Sequence, residues 1–240
     1  MPVLLLAQGD SKAKELLRRA IEARYGISPP AIDNLIMDMQ GRVRAKVGPV
    51  MSWVPLQIRA SFRFPAAIRW DFTARPAGVP VQRGAEAFDG STYRQARGRR
   101  ARIIDNPDVI HSLRHRVWAM AAVLLTPLGD HFVHLDAVDE YRLEATNTTL
   151  GDRVQLVLRD DYTLDQVQAR CLNPDSGQIQ TFSLRASTEQ LPVDDMMLPK
   201  CIRAFWDDQP YYEVKPVHIE NLTAIADAVF TLETDASSQA

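Results

Sequence analysis

Cysteine is scarce in this chain: Cys171 and Cys201 are the only two in 240 residues, too few for a disulfide framework. Neither sign of charge is in excess, because 28 Lys and Arg face 30 Asp and Glu. With a net charge of −2, bulk charge does not mark a nucleic-acid binder. No apolar run approaches the ~18 residues of a helical membrane span. G-x-S-x-G, the P-loop, G-x-G-x-x-G and C-x-x-C are all missing, so no familiar hydrolase, nucleotide or thiol-redox signature is present. Internal repeats and inter-domain linkers are missing as well.

What is present is alternation. Ser11–Tyr25 reads as an amphipathic helix, with Ala13, Leu16, Leu17, Ala20 and Arg24 on one side, Ser11 as N-cap and Gly26 as terminator. From Leu35 to Val47 the period becomes two, with Leu35, Met37, Met39, Gly41, Val43, Ala45 and Val47 on one face. That predicts a strand of roughly thirteen residues, about 43 Å long, bent at Gly41. Leu56–Phe64 and Ile68–Arg75 repeat the pattern, and the Pro65-Ala66 turn between them is too short for a crossover, so they pair antiparallel. Val79–Phe88 and Ser91–Ala101 read as a hairpin about Asp89-Gly90.

Asp108 is placed to cap a second helix, Val109–Leu125, whose latter half is apolar on nearly every side and so must be buried or act as a cover. Strands are then expected at Phe132–Val138, Tyr141–Thr146, Arg153–Arg159, Gln166–Leu172, Ile179–Ala186, Lys200–Trp206 and Tyr211–Ile219. One-sided strands suit a curved antiparallel sheet rather than a parallel one buried on both faces. The expectation is α+β and mainly antiparallel β: a strongly curved open barrel (half-barrel) of about eleven to twelve strands, its helices covering the concave side. A single domain over 10–232 and a disordered tail over 233–240 are expected.

This layout resembles the periplasmic lipoprotein-carrier (LolA/LolB-like) superfamily. The resemblance rests on an N-terminal helix before long strands, on Ile68-Arg69-Trp70-Asp71-Phe72 after a proline, and on the Asp89-Gly90 turn. It continues through Asp160-Asp161, Asn173-Pro174-Asp175-Ser176-Gly177, Met197-Leu198-Pro199 and Asn221…Phe230, over roughly residues 10–232. It implies an incomplete barrel whose helices cover a hydrophobic cavity, and a carrier, chaperone or sensor of acyl chains in the periplasm. The Leu4–Gly9 run resembles the end of an export signal cut before Asp10, and the stretch Arg94–Arg102 departs from the family pattern.

No enzymatic site is expected, and no cofactor. His111 and His115 share a helix face, but no third ligand stands at a metal-site spacing and Arg114 and Arg116 flank them, so a solvated face is expected. His134 and Asp136 form only a common pair, and Asp160-Asp161, Asp194-Asp195 and Asp207-Asp208 belong to turns. The ligand-binding residues are expected among inward Leu35, Met37, Met39, Leu56, Ile58, Phe62, Trp70 and Phe72, with Trp118 and Met120 from the cover helix. The partner expected is a lipid or lipidated protein, with no nucleic acid, peripheral membrane contact and a monomeric state. Location is expected to be periplasmic or otherwise extracytoplasmic, with a cytoplasmic one as the other option. A different reading is an interaction module with a filled core acting through Arg94–Arg102. Free Cys171 and Cys201 and exposed Arg97, Arg99, Arg100 and Arg102 are also expected; a Leu172–Gln178 pair would set Cys171 opposite Ile179.

Overall fold

The structure, a computed structural model, describes residues 5–77, 81–98 and 100–232, and at residue 100 the backbone alone. A two-residue strand β1 (Gln8–Gly9) leads into α1 (Ser11–Tyr25). Six strands follow: β2 (Asn34–Val47), β3 (Val50–Arg63), β4 (Ala67–Ala74), β5 (Gln82–Phe88), β6 (Tyr93–Arg97) and β7 (Arg100–Ile104). After α2 (Pro107–Val123) come β8 (Val133–Ala137), β9 (Arg142–Asn147), β10 (Asp152–Leu158), β11 (Leu164–Leu172) and β12 (Ile179–Ala186). A small hairpin, β13 (Gln190–Val193) and β14 (Met196–Pro199), precedes β15 (Ile202–Trp206) and β16 (Gln209–Leu222).

Fourteen of these strands form one sheet, in the order β1-β8-β9-β10-β11-β12-β15-β16-β2-β3-β4-β5-β6-β7. Every neighbouring pair is antiparallel except β1 and β8. With β1 and β7 as its ends the sheet does not close, so it is the expected open, curved barrel. The alternation read from the sequence is what curls it. Leu35, Met37 and Met39 on β2, Ile58, Ala60 and Phe62 on β3, and Ile68 on β4 are all buried, while Gln40, Arg42, Gln57 and Arg59 face water. A sheet apolar on one face has to wrap that face around something. Gly41 marks the tightest approach: a Cβ there would lie 1.8 Å from the Glu213 carbonyl oxygen of β16, so the crossing admits only glycine.

Several local expectations are corrected. The strand count is higher, because Ser91–Ala101 is broken at Gly98 (φ +64) into β6 and β7, and the stretch 187–199 holds the β13–β14 hairpin. Asp10 rather than Ser11 caps α1, accepting from Lys12 N at 2.9 Å. Asn106 rather than Asp108 caps α2, because Pro107, which has no N–H to satisfy, begins the helix. Leu172 pairs with Ile179 and Cys171 with Gln180, one residue from the expected register. Both cysteines are free and buried. The start expected for β5 at 79, Arg99 and the tail 233–240 lie outside the described residues. At the N-terminal edge of the sheet, Leu6 N and Ala7 N donate to Gly129 O, Ala7 is buried, and Gln8 and Gly9 form β1.

α2 is the element around which the sheet curls. Ser112 Oγ donates to Leu172 O at 2.5 Å, and Trp118 Nε1 to Ala145 O at 3.3 Å. Arg114 reaches across to β10, donating from Nε and Nη2 to the buried Asp152 carboxylate, with Nη2 2.9 Å from Oδ1, and to Leu150 O at 2.7 Å. At the other end of α2, Arg24 and Tyr25 of α1 donate to the carbonyls of Val123 and Leu124. A cation at a helix C-terminus meets the negative end of its dipole. Arg24, read from the sequence as part of the apolar face, is thus buried for a polar reason.

The buried Arg114–Asp152 pair yields a stability prediction. Asp152→Ala leaves Arg114 without its carboxylate and should cost about 3 kcal/mol in urea unfolding. Arg114→Met with Asp152→Leu should recover much of that loss, since neither charge is then stranded. An unchanged midpoint for Asp152→Ala would show that this pair does not hold α2 to the sheet.

Candidate ligand-binding cavity

The length of the cover helix decides where the barrel is filled. α2 has 17 residues and is about 25 Å long. β2 and β3 have 14 residues each and are about 46 Å long. One helix of that length cannot fill the whole concave face. Its apolar half, Trp118 to Val123, lies over the end of the sheet where Leu35, Phe62, Ile68 and Phe88 stand side by side, and every one of those residues is buried. Towards the other end burial fades along each strand: Val43 and Ala45 on β2 and Trp70 and Phe72 on β4 are only half-buried, although they continue the inward face.

That end holds a cavity of about 550 Å³. Its floor and walls are Val43, Ala45, Leu56, Ile58, Trp70, Phe72 and Ala74 from β2 to β4, Phe182 from β12 and Tyr211 and Tyr212 from β16. Leu113, Arg116 and Val117, in the middle of α2, form the roof. The aromatic rings touch one another: Trp70 and Phe182 each stand 6.5 Å from Tyr212 between ring centroids, and Tyr211 stands 5.2 Å from it. Burial pushes the phenols of both tyrosines above the usual range, so they stay neutral. Exposed Lys46, Met51, Gln82, Arg97 and Asp175 stand around the mouth. The volume falls in the ~300–1,000 Å³ range of small-molecule clefts.

Of the residues singled out from sequence, Leu56, Ile58, Trp70 and Phe72 line this cavity. Leu35, Met37, Met39 and Met120 are buried in the filled part of the core. Phe62 and Trp118 face each other across a crevice of about 20 Å³, too small for a ligand. Residues that sequence reasoning missed are Ala74, Leu113, Arg116, Phe182, Tyr211 and Tyr212. The strand and helix patterns contained them, but only the pairing of β12 with β15, β15 with β16 and β16 with β2 brings the distant aromatics to one wall.

The paired acids at 160–161, 194–195 and 207–208 do lie in turns. The histidines of α2 differ from expectation. His111 is exposed, but His115 is buried, and folding brings buried Asp152 within 4.8 Å of both as a third group. Arg114 holds both Asp152 oxygens, and both ring nitrogens of His115 are engaged, Nδ1 with His111 O at 3.0 Å and Nε2 accepting from Arg153 N at 3.4 Å. The arrangement is a polar clamp at the α2–β10 contact rather than a cation site.

Outward from this cavity the arginine-rich stretch divides. Arg94 is half-buried against Asp89 at 2.6 Å, whereas Arg97 and Arg102 are exposed, and Arg97 stands at the cavity mouth. No helix among the described residues is long and apolar enough to cross a membrane.

No family model and no curated protein matches the sequence. Among solved structures, the chain is similar to a LolA superfamily protein from Nitrosomonas europaea. The two share 15% identity over 92% of this chain and 97% of that one, with a TM-score of 0.52. A putative outer membrane lipoprotein-sorting protein domain from Vibrio parahaemolyticus aligns at 10% identity over 91% and 94% of the two chains, with a TM-score of 0.48. A DUF1329 family protein from Desulfovibrio piger aligns at 12% over 92% and 98%, with a TM-score of 0.47. The first of these likenesses gives the fold: the chain has a LolA-like fold, the one its layout resembled.

Burial of the His115 imidazole lowers its pKa below the ordinary histidine value of about 6.5. The unfolded chain then binds a proton that the folded state refuses, so stability is full above pH 6.5 and falls as pH drops towards the folded pKa. His115→Gln should remove that share of the slope between pH 6.5 and 5 in denaturant unfolding. An identical slope in the variant would show that His115 takes up its proton equally well in the fold.

Proposed function

We propose that this chain is a non-catalytic carrier or sensor that holds the acyl chain of a lipid or lipidated protein in the cavity beneath α2. The observation that carries this reading is the half-filled barrel. The inner face is continuous and apolar, yet α2 fills only one end of it and merely roofs the cavity at the other. Leu56, Ile58, Trp70 and Phe72 are therefore the binding residues on this reading, joined by Ala74, Phe182 and Tyr212. Concave, mostly apolar clefts take apolar guests, and the aromatic wall offers a large contact area. The LolA-like fold agrees with a carrier. In this reading the protein works as a monomer outside the cytoplasm, meeting the membrane only peripherally when its cargo enters or leaves, and it uses no cofactor.

Mass spectrometry of organic extracts of the purified protein would name a retained guest. Binding is read in solution from tryptophan emission. On addition of dodecanoate the emission should shift to the blue, and a saturating ligand at a hundred times its Kd should add about 2.7 kcal/mol to stability. Trp70→Phe should abolish the shift, because Trp70 lines the cavity, whereas Trp118→Phe should keep it. Ala74→Phe, which places a ring in the cavity, should weaken binding. If no variant responds and no stability is gained, the carrier reading falls.

A further inference from the structure

The roof of the cavity contains a group that an apolar guest does not need. Arg116 lies in the middle of α2, on the cavity side, with its guanidinium among Glu86, Tyr93 and Tyr211. Its Nε is buried and has no hydrogen-bond partner. A buried donor without an acceptor costs about 1–3 kcal/mol, more when it is charged, so such a group calls for an explanation. Glu86 does not supply one: its carboxylate accepts from Gln95 Nε2 at 3.0 Å and makes no hydrogen bond to Arg116. Other arginines on the same helix and sheet are treated differently. Arg114 is held by Asp152, and Arg94 by Asp89.

The charges lining the cavity point the same way. Arg44, Lys46, Arg97 and Arg116 face it, against Glu86 and Asp175. Its cationic groups outnumber its acidic ones, although the whole chain carries a net charge of −2.

We propose that the cavity selects amphiphiles with an anionic head, whose carboxylate or phosphate oxygens accept from the Arg116 guanidinium beneath α2 while an alkyl chain lies along Leu56, Ile58, Trp70 and Phe182. This specifies the ligand class for the carrier reading and rests on it. A guanidinium fork matches either acidic head. Arg97 and Lys46, at the mouth, attract the head before it enters.

The test is a displacement assay in which the neutral probe N-phenyl-1-naphthylamine reports occupancy of the cavity. Dodecanoate, dodecyl phosphate and uncharged methyl dodecanoate compete for it at sub-micellar concentrations. The wild-type protein should bind at least one of the two acids more tightly than the ester, by on the order of tenfold, as expected for a charged hydrogen bond. The stronger of the two acids identifies the head. Arg116→Gln should lose that preference, the ratio of acid to ester affinity falling towards one, and Arg116→Lys should restore part of it. Glu86→Gln, which removes a competing anion, should strengthen acid binding. Circular dichroism and the urea midpoint of each variant establish that it is folded. If wild type binds acids and ester equally, or Arg116→Gln keeps the preference, the anionic-head proposal is overturned and the apolar cavity reading stands. If the probe and all three ligands fail to bind, both fall together.

Discussion

Two helices, α2 and the apolar face of α1, have to cover the inner face of a fourteen-stranded sheet, and most features of this molecule follow from that mismatch. The strands are apolar on one side only, so their inner face is stable only when it is covered. Covering it with an element about half their length forces the sheet to curl tightly around α2 and leaves the remainder of the concavity to be lined rather than filled. Where α2 is apolar on all sides, the interior is closed by Trp118, Ala119, Met120 and Ala121 against Leu35, Phe62 and Ile68. Where its sequence turns polar, at Arg114 and Arg116, the walls separate and the cavity opens.

Because so much depends on α2, its placement is fixed by polar contacts at both ends. Arg114 and His115 join it to β10 through Asp152 and Arg153 N, Ser112 to β11, and Arg24 and Tyr25 of α1 answer its terminal carbonyls. These bonds are directional, whereas apolar packing alone would leave the helix free to slide along a smooth sheet. The same helix therefore carries both the anchors that position the roof and the one guanidinium in the roof that is not used as an anchor. A cavity whose cover is pinned so firmly is preformed, and a guest that fits it spends little free energy on ordering the protein.

The sheet edges also follow from the half-filled design. A closed barrel would bring β7 against β1, and neither strand is built for it. β1 is two residues long and parallel to its neighbour, and β7 carries Arg102 and exposed Ile103. Asp194, in the turn of the β13–β14 hairpin, binds His218 Nδ1 and Ile219 N, so even this excursion is tied back to β16.

How far the sequence alone reached is clear from particular residues. The period-two runs Leu35–Val47 and Leu56–Phe64, the helix Ser11–Tyr25 and the apolar second half of α2 are local patterns, because side-chain direction along a strand or helix depends only on residue spacing. They were enough for an open, one-faced sheet with a helical cover, and for Leu56, Ile58, Trp70 and Phe72 in its lining. They could not distinguish Met37, in the filled end, from Trp70, in the hollow one, since both simply point inward. That distinction depends on where a helix of fixed length comes to rest on the sheet. Phe182, Tyr212 and Arg116 meet only after strands far apart in the chain have paired, and Asp152 joins His115 across 37 residues of sequence. Inward or outward was written in the sequence; filled or empty was decided by tertiary packing, because a void is a property of what fails to reach it.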